Sequence, residues 1–511
     1  MLKKYSKYIL LIIFVLALIV RWWYLPKNAI TFAFDQGRDA YVAQEILSGD
    51  VKILGPSVSG VQGFYHGVLY YYVIAPAYFF GQGDPIYVAY WLSFLNSLLV
   101  FVIYFLVAKM TSKALPGLIA ALVFAVSFEQ SQYATWLSNP AMGVWFVTLL
   151  YSGLYLWLKV RKNYYLLLSG AAFGLAIQSN VSFAYHLVPI AIWVWYSRKD
   201  IGRKQILWLT IPFLVAVSSM ILVESRFGFK SLEGIKHLLG ASEGETPLLL
   251  GSFLLAYVNH MGDIFAHNLF PFASSLGGLI GLGILTKYLF KIAKGGYRYS
   301  LEIKLLVSWI LSFLIAASIG GTNIPHIGAG LGVGLIILVA FFIWELSYRN
   351  KWMASAFLLI ILVANVVKIA SENYKGQTIF AIQKDMTLAN ELSAIDYTYQ
   401  SSKGEPFSIN SLTSPLFINT TWSYLYGWYG KSTYGYTPFW RGKNQVGSLG
   451  DNLPPPDKSV TRHYLIIEDM EGIPPIYFTY AVGEEDARSH KIDERGFGEL
   501  LVQERVVEGE E

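Results

Sequence analysis

The sequence contains no cysteine. Disulfides and thiolate chemistry are therefore excluded, and the redox compartment stays open. Charge is scarce as well: 14% of the 511 residues are Asp, Glu, Lys or Arg, against 54% hydrophobic residues and a mean hydropathy of +0.45. A soluble protein of this length is not normally so apolar. There is no Walker motif, no Gly-rich dinucleotide turn and no metal-ligand cluster, which argues against an ATP-driven pump or a nucleotide-dependent site in the cytoplasm. The net charge of +5 is too small to suggest a nucleic-acid surface. Internal repeats and low-complexity tracts are also absent.

What is present is a series of apolar runs of roughly 15–23 residues, the length that crosses a bilayer core. After Lys3, Lys4 and Lys7 the first run extends from Tyr8 to about Val20 and closes on Arg21-Trp22-Trp23-Tyr24. No small-x-small cleavage site follows, so this run reads as an uncleaved anchor. Further runs fall near 86–108, 115–130, 140–158, 164–179, 184–197, 205–223, 272–290, 305–319, 327–346 and 353–370, about eleven spans in all. Aromatic residues make up 16% of the chain and gather at span ends, as an interfacial belt does. With the N-terminus in the cytoplasm, 19 of the 39 basic residues fall in short inside turns, and the outside loops 131–138, 180–186 and 320–326 carry none. The positive-inside rule then places the C-terminal part outside. The fold class is a polytopic helical membrane bundle with a small C-terminal α/β domain, in a multi-pass cell-membrane protein.

Two outside loops are long, 21–85 and 224–271. The first holds a stretch in which Val42, Ala43, Ile46 and Leu47 repeat at helical spacing, with Asp39, Gln44 and Glu45 opposite. Such a helix is expected to lie in the membrane interface. Gly55, Gly60, Gly63 and Gly67 mark turns before Leu69-Tyr70-Tyr71-Tyr72. From about residue 371 no span follows, and 12 Lys+Arg stand against 20 Asp+Glu. A helix is expected over 377–402, with Ile379, Ile382, Met386, Leu392 and Ile395 on one face. Strands are expected at Phe407–Ile409, Tyr464–Ile467, Ile476–Ala481 and Leu500–Val507, with a loop at Asp451–Pro456 and a frayed end at Glu508–Glu511. The domain boundaries read 1–370 and 371–511.

The chemistry-bearing residues sit at outside span ends and loops. Asp35, in Phe34-Asp35-Gln36-Gly37-Arg38-Asp39-Ala40-Tyr41, reads as a general base or as a helix N-cap. Asp39 reads as a partner of Arg38 or of solvent. His66, just before Tyr70, reads as a donor to a phosphate or sugar oxygen or as an interfacial polar residue. Glu129 and Asn139 flank a short outside loop, where an acid near a span end is unusual. Glu224 and Arg226 close the seventh run; the arginine suits a phosphate, or an ion pair with Glu224. His326 lies on another short loop.

The motif around Asp35, continued by Glu45-Ile46-Leu47-Ser48-Gly49-Asp50, resembles the first-loop signature of the GT-C glycosyltransferases. The branch it resembles is that of the protein O-mannosyltransferases and lipid A aminoarabinose transferases. The resemblance runs on through His66–Tyr72, the 129–139 loop, Glu224-Ser225-Arg226 and His326, covering roughly residues 1–350 in layout. It implies transfer of a sugar from a polyprenyl-phosphate donor to a hydroxyl of a glycan, lipid or protein acceptor on the extracytoplasmic face. Asp35 is then the base, the outcome is inversion, and neither cofactor nor metal is needed. Arg38, Asp39, His66, Tyr70, Glu129, Asn139, Glu224, Arg226 and His326 become substrate-binding candidates. Gln36 stands where the family has a second acid, His66 where it has a lysine, and Asn139 where it often has an acid; these departures bear on the acceptor class. The competing classes are a transporter or flippase, a lipid-diphosphate-dependent polymerase or ligase, and a noncatalytic relative. The first predicts paired halves and mid-bilayer ionisable groups, which the sequence does not display.

Overall fold

The computed structural model describes residues 2–58, 63–230, 250–314, 325–380, 383, 385–443, 452–456, 459–469 and 473–507. Gly60, Ile382, Asp451, Glu508–Glu511, most of the 320–326 loop and the end of the 305–319 run lie outside them. The chain forms two units: residues 1–23, 52–73 and 92–371, and residues 24–51, 74–91 and 372–511. The first-loop segment 24–51 thus clusters with the C-terminal residues.

The first unit is helical. Its elements are α1 (Leu2–Trp22), then, after α2 of the other unit (Phe34–Leu47), α3 (Leu69–Phe80) and α4 (Pro85–Thr111), through which the chain passes between units. There follow α5 (Ala114–Val126), α6 (Phe128–Ala134), α7 (Gly143–Val160), α8 (Tyr164–Ser179), α9 (Leu187–Tyr196), α10 (Arg203–Ala216), α11 (Ser218–Arg226), α12 (Leu250–Leu269), α13 (Ser274–Ala293), α14 (Ser300–Ile310), α15 (Leu331–Arg349) and α16 (Lys351–Glu372). Among the described residues six helices are long and apolar enough to cross a membrane, or eight if each bent pair counts as one span. This is a multi-pass membrane protein.

Two expected spans are broken. The 115–130 run is α5 and α6, bent by 61°, and the 205–223 run is α10 and α11, bent by 60°. At the first break Ser127 adopts an extended conformation, and its side chain caps α6 by accepting from Gln130 N. The break leaves carbonyls at the end of α5 without helical partners. Arg21, fully buried, supplies them: its guanidinium donates to Ala125 O at 2.8 Å and Phe124 O at 3.4 Å, and to Asn96 Oδ1 at 3.1 Å. Arg21 is therefore an interior strut rather than an interfacial residue. The expected outside loop 224–271 also needs correction, since twenty of its residues, Leu250–Leu269, form helix α12.

The second unit holds α2, α17 (Leu388–Ser401), α18 (Thr420–Leu425) and α19 (Pro475–Asp486) around a five-stranded sheet. Its strands are β1 (Ser408–Leu412), β2 (Phe439–Trp440), β3 (Arg462–Ile467), β4 (Ser489–Phe497) and β5 (Leu500–Val507), in the order β2-β1-β3-β5-β4. β1 pairs parallel to both β2 and β3, while β5 runs antiparallel to β3 and β4. Three corrections apply here. Helix α17 starts at Leu388 rather than 377, because Thr387 caps it. Ile476–Ala481 is helical: Pro475 opens α19, and only Ala481 is buried while Ile476 and Tyr480 are exposed. The strand β4 carries Lys491, Asp493, Glu494 and Arg495, a charged edge with no apolar alternation to reveal it.

Candidate active site

Helix α2 carries the first-loop motif, and its position follows from a short extended segment before it. Leu388 N donates to Ile30 O at 2.9 Å, Phe32 N to Met386 O at 3.3 Å, and Gln377 Oε1 accepts from Thr31 N at 3.0 Å. The N-cap of α2 is Ala33, not Asp35. Gln36, three residues on, accepts from Ala33 N at 3.0 Å and closes the first turn from inside. Gln36, which stands where the family that the motif resembles has a second acid, therefore acts as a helix cap.

That leaves Asp35 in the first turn with its side chain 57% exposed. A carboxylate at a helix N-terminus is favoured by the helix dipole. Arg38 Nη1 donates to Asp35 Oδ1 at 2.7 Å, while its Nε and Nη2 donate to Asp39 Oδ1 at 2.9 and 2.7 Å. One guanidinium thus holds both acids. Asp39 is buried, at 2% exposure, and its Oδ2 has no hydrogen-bond partner among the described residues. Burial pushes its carboxyl up to about 7, with Arg38 opposing the shift and Asp35 adding to it. The helix's other buried residues are Gln36, Gly37, Ala40, Val42 and Ala43. They pack on protein: a Cβ on Gly37 would lie 3.1 Å from Thr421 Cα, so α2 and α18 touch backbone to backbone. The expected helix with Asp39 on its polar face is thus corrected, because Asp39 belongs to the buried side.

Tyr41, one turn on, was not singled out by the sequence. Its hydroxyl lies 3.1 Å from Ser423 Oγ and donates to Asn452 Oδ1 at 3.1 Å. Burial pushes this phenol up to about 12. No motif announces Ser423 or Asn452, since they reach α2 from nearly four hundred residues away. The pattern of the unit-two site is an exposed carboxylate, a cation that fixes it, a buried second acid and a neutral tyrosine.

The other seven candidates lie in the helical unit. His66 and Asn139 meet at one turn: His66 Nδ1 accepts from Val181 N at 3.2 Å, and Asn139 Nδ2 donates to Ser179 O. Gly67 N donates to Gln178 O at 2.9 Å, so the stretch before α3 is pinned to the end of α8. Tyr70 is buried in α3. Glu129 is buried and accepts from Asn268 Nδ2 and, at 3.2 Å, from Gln130 Nε2. Asn268 Oδ1 in turn accepts from Ser127 Oγ at 2.7 Å, and Asn365 Nδ2 donates to Asn268 O at 3.2 Å. Of the residues that hold Glu129, Gln130 belongs to the polar loop read from the sequence, while Asn268 and Asn365 were not singled out; a lone asparagine in the apolar α16 was the available signal for Asn365. Glu224 and Arg226 end α11, the first half-buried and the second exposed. The imidazole of His326 lies 5.5 Å from the ring of Trp136. Among the described residues no group of three or more His, Asp or Glu side chains could hold a metal ion.

Residues 66–223 match the family described as dolichyl-phosphate-mannose-protein mannosyltransferase. No curated protein matches the chain in sequence. Among solved structures, the chain is similar to ArnT from Cupriavidus metallidurans bound to undecaprenyl phosphate, with a TM-score of 0.58 and 14% identity over 97% of both chains. It is also similar to the oligosaccharyltransferase AglB from Archaeoglobus fulgidus, in complex with an inhibitory peptide and a dolichol-phosphate. There the TM-score is 0.51 with 14% identity, covering 94% of this chain and 71% of that one. The chain therefore has the GT-C fold and resembles the mannosyltransferase and aminoarabinose transferase branch.

Proposed function

We propose that this protein is a membrane glycosyltransferase that moves a sugar from a polyprenyl-phosphate carrier to a hydroxyl acceptor on the extracytoplasmic face. The observation that carries the reading is the exposed Asp35 carboxylate, fixed by Arg38 in the first turn of α2 within a GT-C fold. A hydroxyl attacking the anomeric carbon must lose its proton as the bond forms, and one positioned carboxylate suffices to take it. The bond from the anomeric carbon to the phosphate oxygen breaks, and the lipid phosphate leaves with both electrons. A single displacement of this kind inverts the anomeric carbon. The ArnT and AglB structures hold undecaprenyl phosphate and dolichol-phosphate respectively, which supports a lipid-linked donor here. Arg226, an exposed guanidinium, has the charge and fork suited to such a phosphate.

In this reading Arg38 sets the orientation of Asp35, and Asp39 holds Arg38. In the same reading the N-terminus is cytoplasmic and the sheet-bearing unit extracytoplasmic, an orientation that the distribution of basic residues supports. The test is transfer from radiolabelled polyprenyl-phosphate sugars to extracted membrane acceptors, wild type beside Asp35→Asn. The expected result is transfer by the wild type and a loss of at least about a hundredfold in the variant, at unchanged thermal stability. Equal transfer by both would remove Asp35 from the chemistry. Absence of transfer by the wild type across several lipid-phosphate sugars, with transfer from lipid-diphosphate donors, would replace the donor class.

A further inference from the structure

A cavity of about 110 Å³ opens in the sheet-bearing unit, in the outer part of β1 and β2, with α19 along one side. Parallel β1 lies between β2 and β3, so the chain leaves β1 to one side and returns to the other. In α/β sheets, ligands settle at the carboxyl ends of strands where the order reverses in this way. The volume is that of about four water molecules at liquid density, enough for one charged group and too little for a drug-sized ligand.

Its walls are cationic, within a C-terminal segment that is net acidic. Arg441, Lys443 and Arg488 line the cavity, with Glu484 as the one carboxylate in the lining among the described residues. The Arg488 side chain makes no hydrogen bond or ion pair among the described residues, and its charge adds to the Tyr480 hydroxyl and to Lys443 in holding the Glu484 carboxyl below its ordinary range. Lys443 pairs with Glu484 at 3.3 Å, and its ammonium sits 4.3 Å from the ring centroid of Phe417 and 5.1 Å from that of Tyr480.

Arg441 is held from behind. Its Nε donates to Ser408 Oγ at 3.2 Å and its Nη2 to Val460 O at 3.0 Å. Ser408 contacts His463 Nδ1 at 3.0 Å, and His463 Nε2 contacts Glu485 at 3.1 Å. This buried serine, histidine and glutamate have the composition of a hydrolytic triad. Ser408 is fully buried and bonded to Arg441, however, so the relay serves as a brace. A side chain at Gly442 would overlap Trp440 and Asn410, so the missing Cβ keeps the cavity open beside an indole.

We propose that this cavity binds a single anionic group carried on a sugar, either a carboxylate or a phosphate. A braced arginine and two further cations supply the charge recognition. Trp440, Phe417 and Tyr480 supply flat apolar faces of the kind that pack against a pyranose ring. The incoming anion displaces Glu484 from Lys443. The assignment stands on the cavity alone and does not depend on the transfer reaction.

The test is isothermal titration calorimetry on the full-length, detergent-purified chain with glucuronate, glucose 1-phosphate, inorganic phosphate and methyl glucoside. Saturable binding of glucuronate or glucose 1-phosphate is expected, weaker binding of inorganic phosphate, and none of the neutral glycoside. Replacing both exposed cations, Lys443→Gln with Arg488→Gln, should weaken binding on the order of tenfold, and Glu484→Gln should strengthen it. Anionic-sugar binding that is unchanged in the double variant, as it would be if the transfer site captured the ligand, overturns the assignment. So does the absence of saturable binding in the wild type. Inorganic phosphate binding as tightly as glucose 1-phosphate removes the sugar from the ligand class.

Discussion

At the residue scale, α2 shows how one substitution in a motif can change a side chain's work. Gln36 satisfies a backbone donor at the helix start, so Gln36→Ala should lower stability by about 1 kcal/mol, measured by thermal unfolding in detergent. Asp39 is the counterpart. A carboxyl whose folded value is raised contributes most to stability below its unfolded value of 3.8, and it loses that contribution as pH rises through about 7. Wild-type stability should therefore fall between pH 4 and 7 by a component that Asp39→Asn abolishes. A pH profile of melting temperature with the same slope in both proteins would show that Asp39 does not titrate in that window. The motif and its two acids were legible in the sequence. The burial of Asp39 was not, because helical periodicity assigned it to the polar side and a tertiary contact with α18 reversed that.

At the element scale, the broken helices matter most. An apolar run of sixteen residues reads as one span, yet α5 stops at Val126 and α6 leaves at 61°. The break is stable because Arg21 and Ser127 satisfy the groups it exposes. Arg21→Met should destabilise the protein by about 3 kcal/mol, since buried carbonyls lose a charged donor, and Arg21→Lys should recover only part of the loss. Thermal unfolding of the three proteins measures the order; equal stability of wild type and Arg21→Met would remove Arg21 from the break. Hydropathy cannot locate such a break, because a single serine is tolerated inside an apolar helix and what ends α5 is the extended backbone of Ser127.

At the scale of the whole molecule, one unit is a helical membrane bundle and the other assembles from three separated pieces of chain. Inside the second unit Glu391 is fully buried, and neither of its carboxylate oxygens has a hydrogen-bond partner among the described residues. Burial, with Glu468 nearby, holds its carboxyl well above the usual carboxylate range. The group therefore works against stability as pH rises above the ordinary carboxylate range. Glu391→Gln should raise the melting temperature more at pH 8 than at pH 5, which a two-pH comparison of thermal unfolding checks.

The sequence by itself determined the class of the molecule and the position of its motif. Long apolar runs have few stable fates other than a bilayer, and charge between such runs is scarce enough for each polar cluster to stand out. It also placed β3, β5 and the start of β1, where short runs of strand-forming residues mark them. Only the tertiary structure decided which candidates share a surface. Asp35, Arg38 and Asp39 form one cluster, His66 and Asn139 meet at one turn, and Glu129 is held by Asn268. It alone also turned Ile476–Ala481 into a helix and gathered three cations around one cavity. The physical reason is that local pattern reports what a residue prefers next to its neighbours in the chain. Burial and pairing between residues tens to hundreds of positions apart depend on which backbones pack against one another.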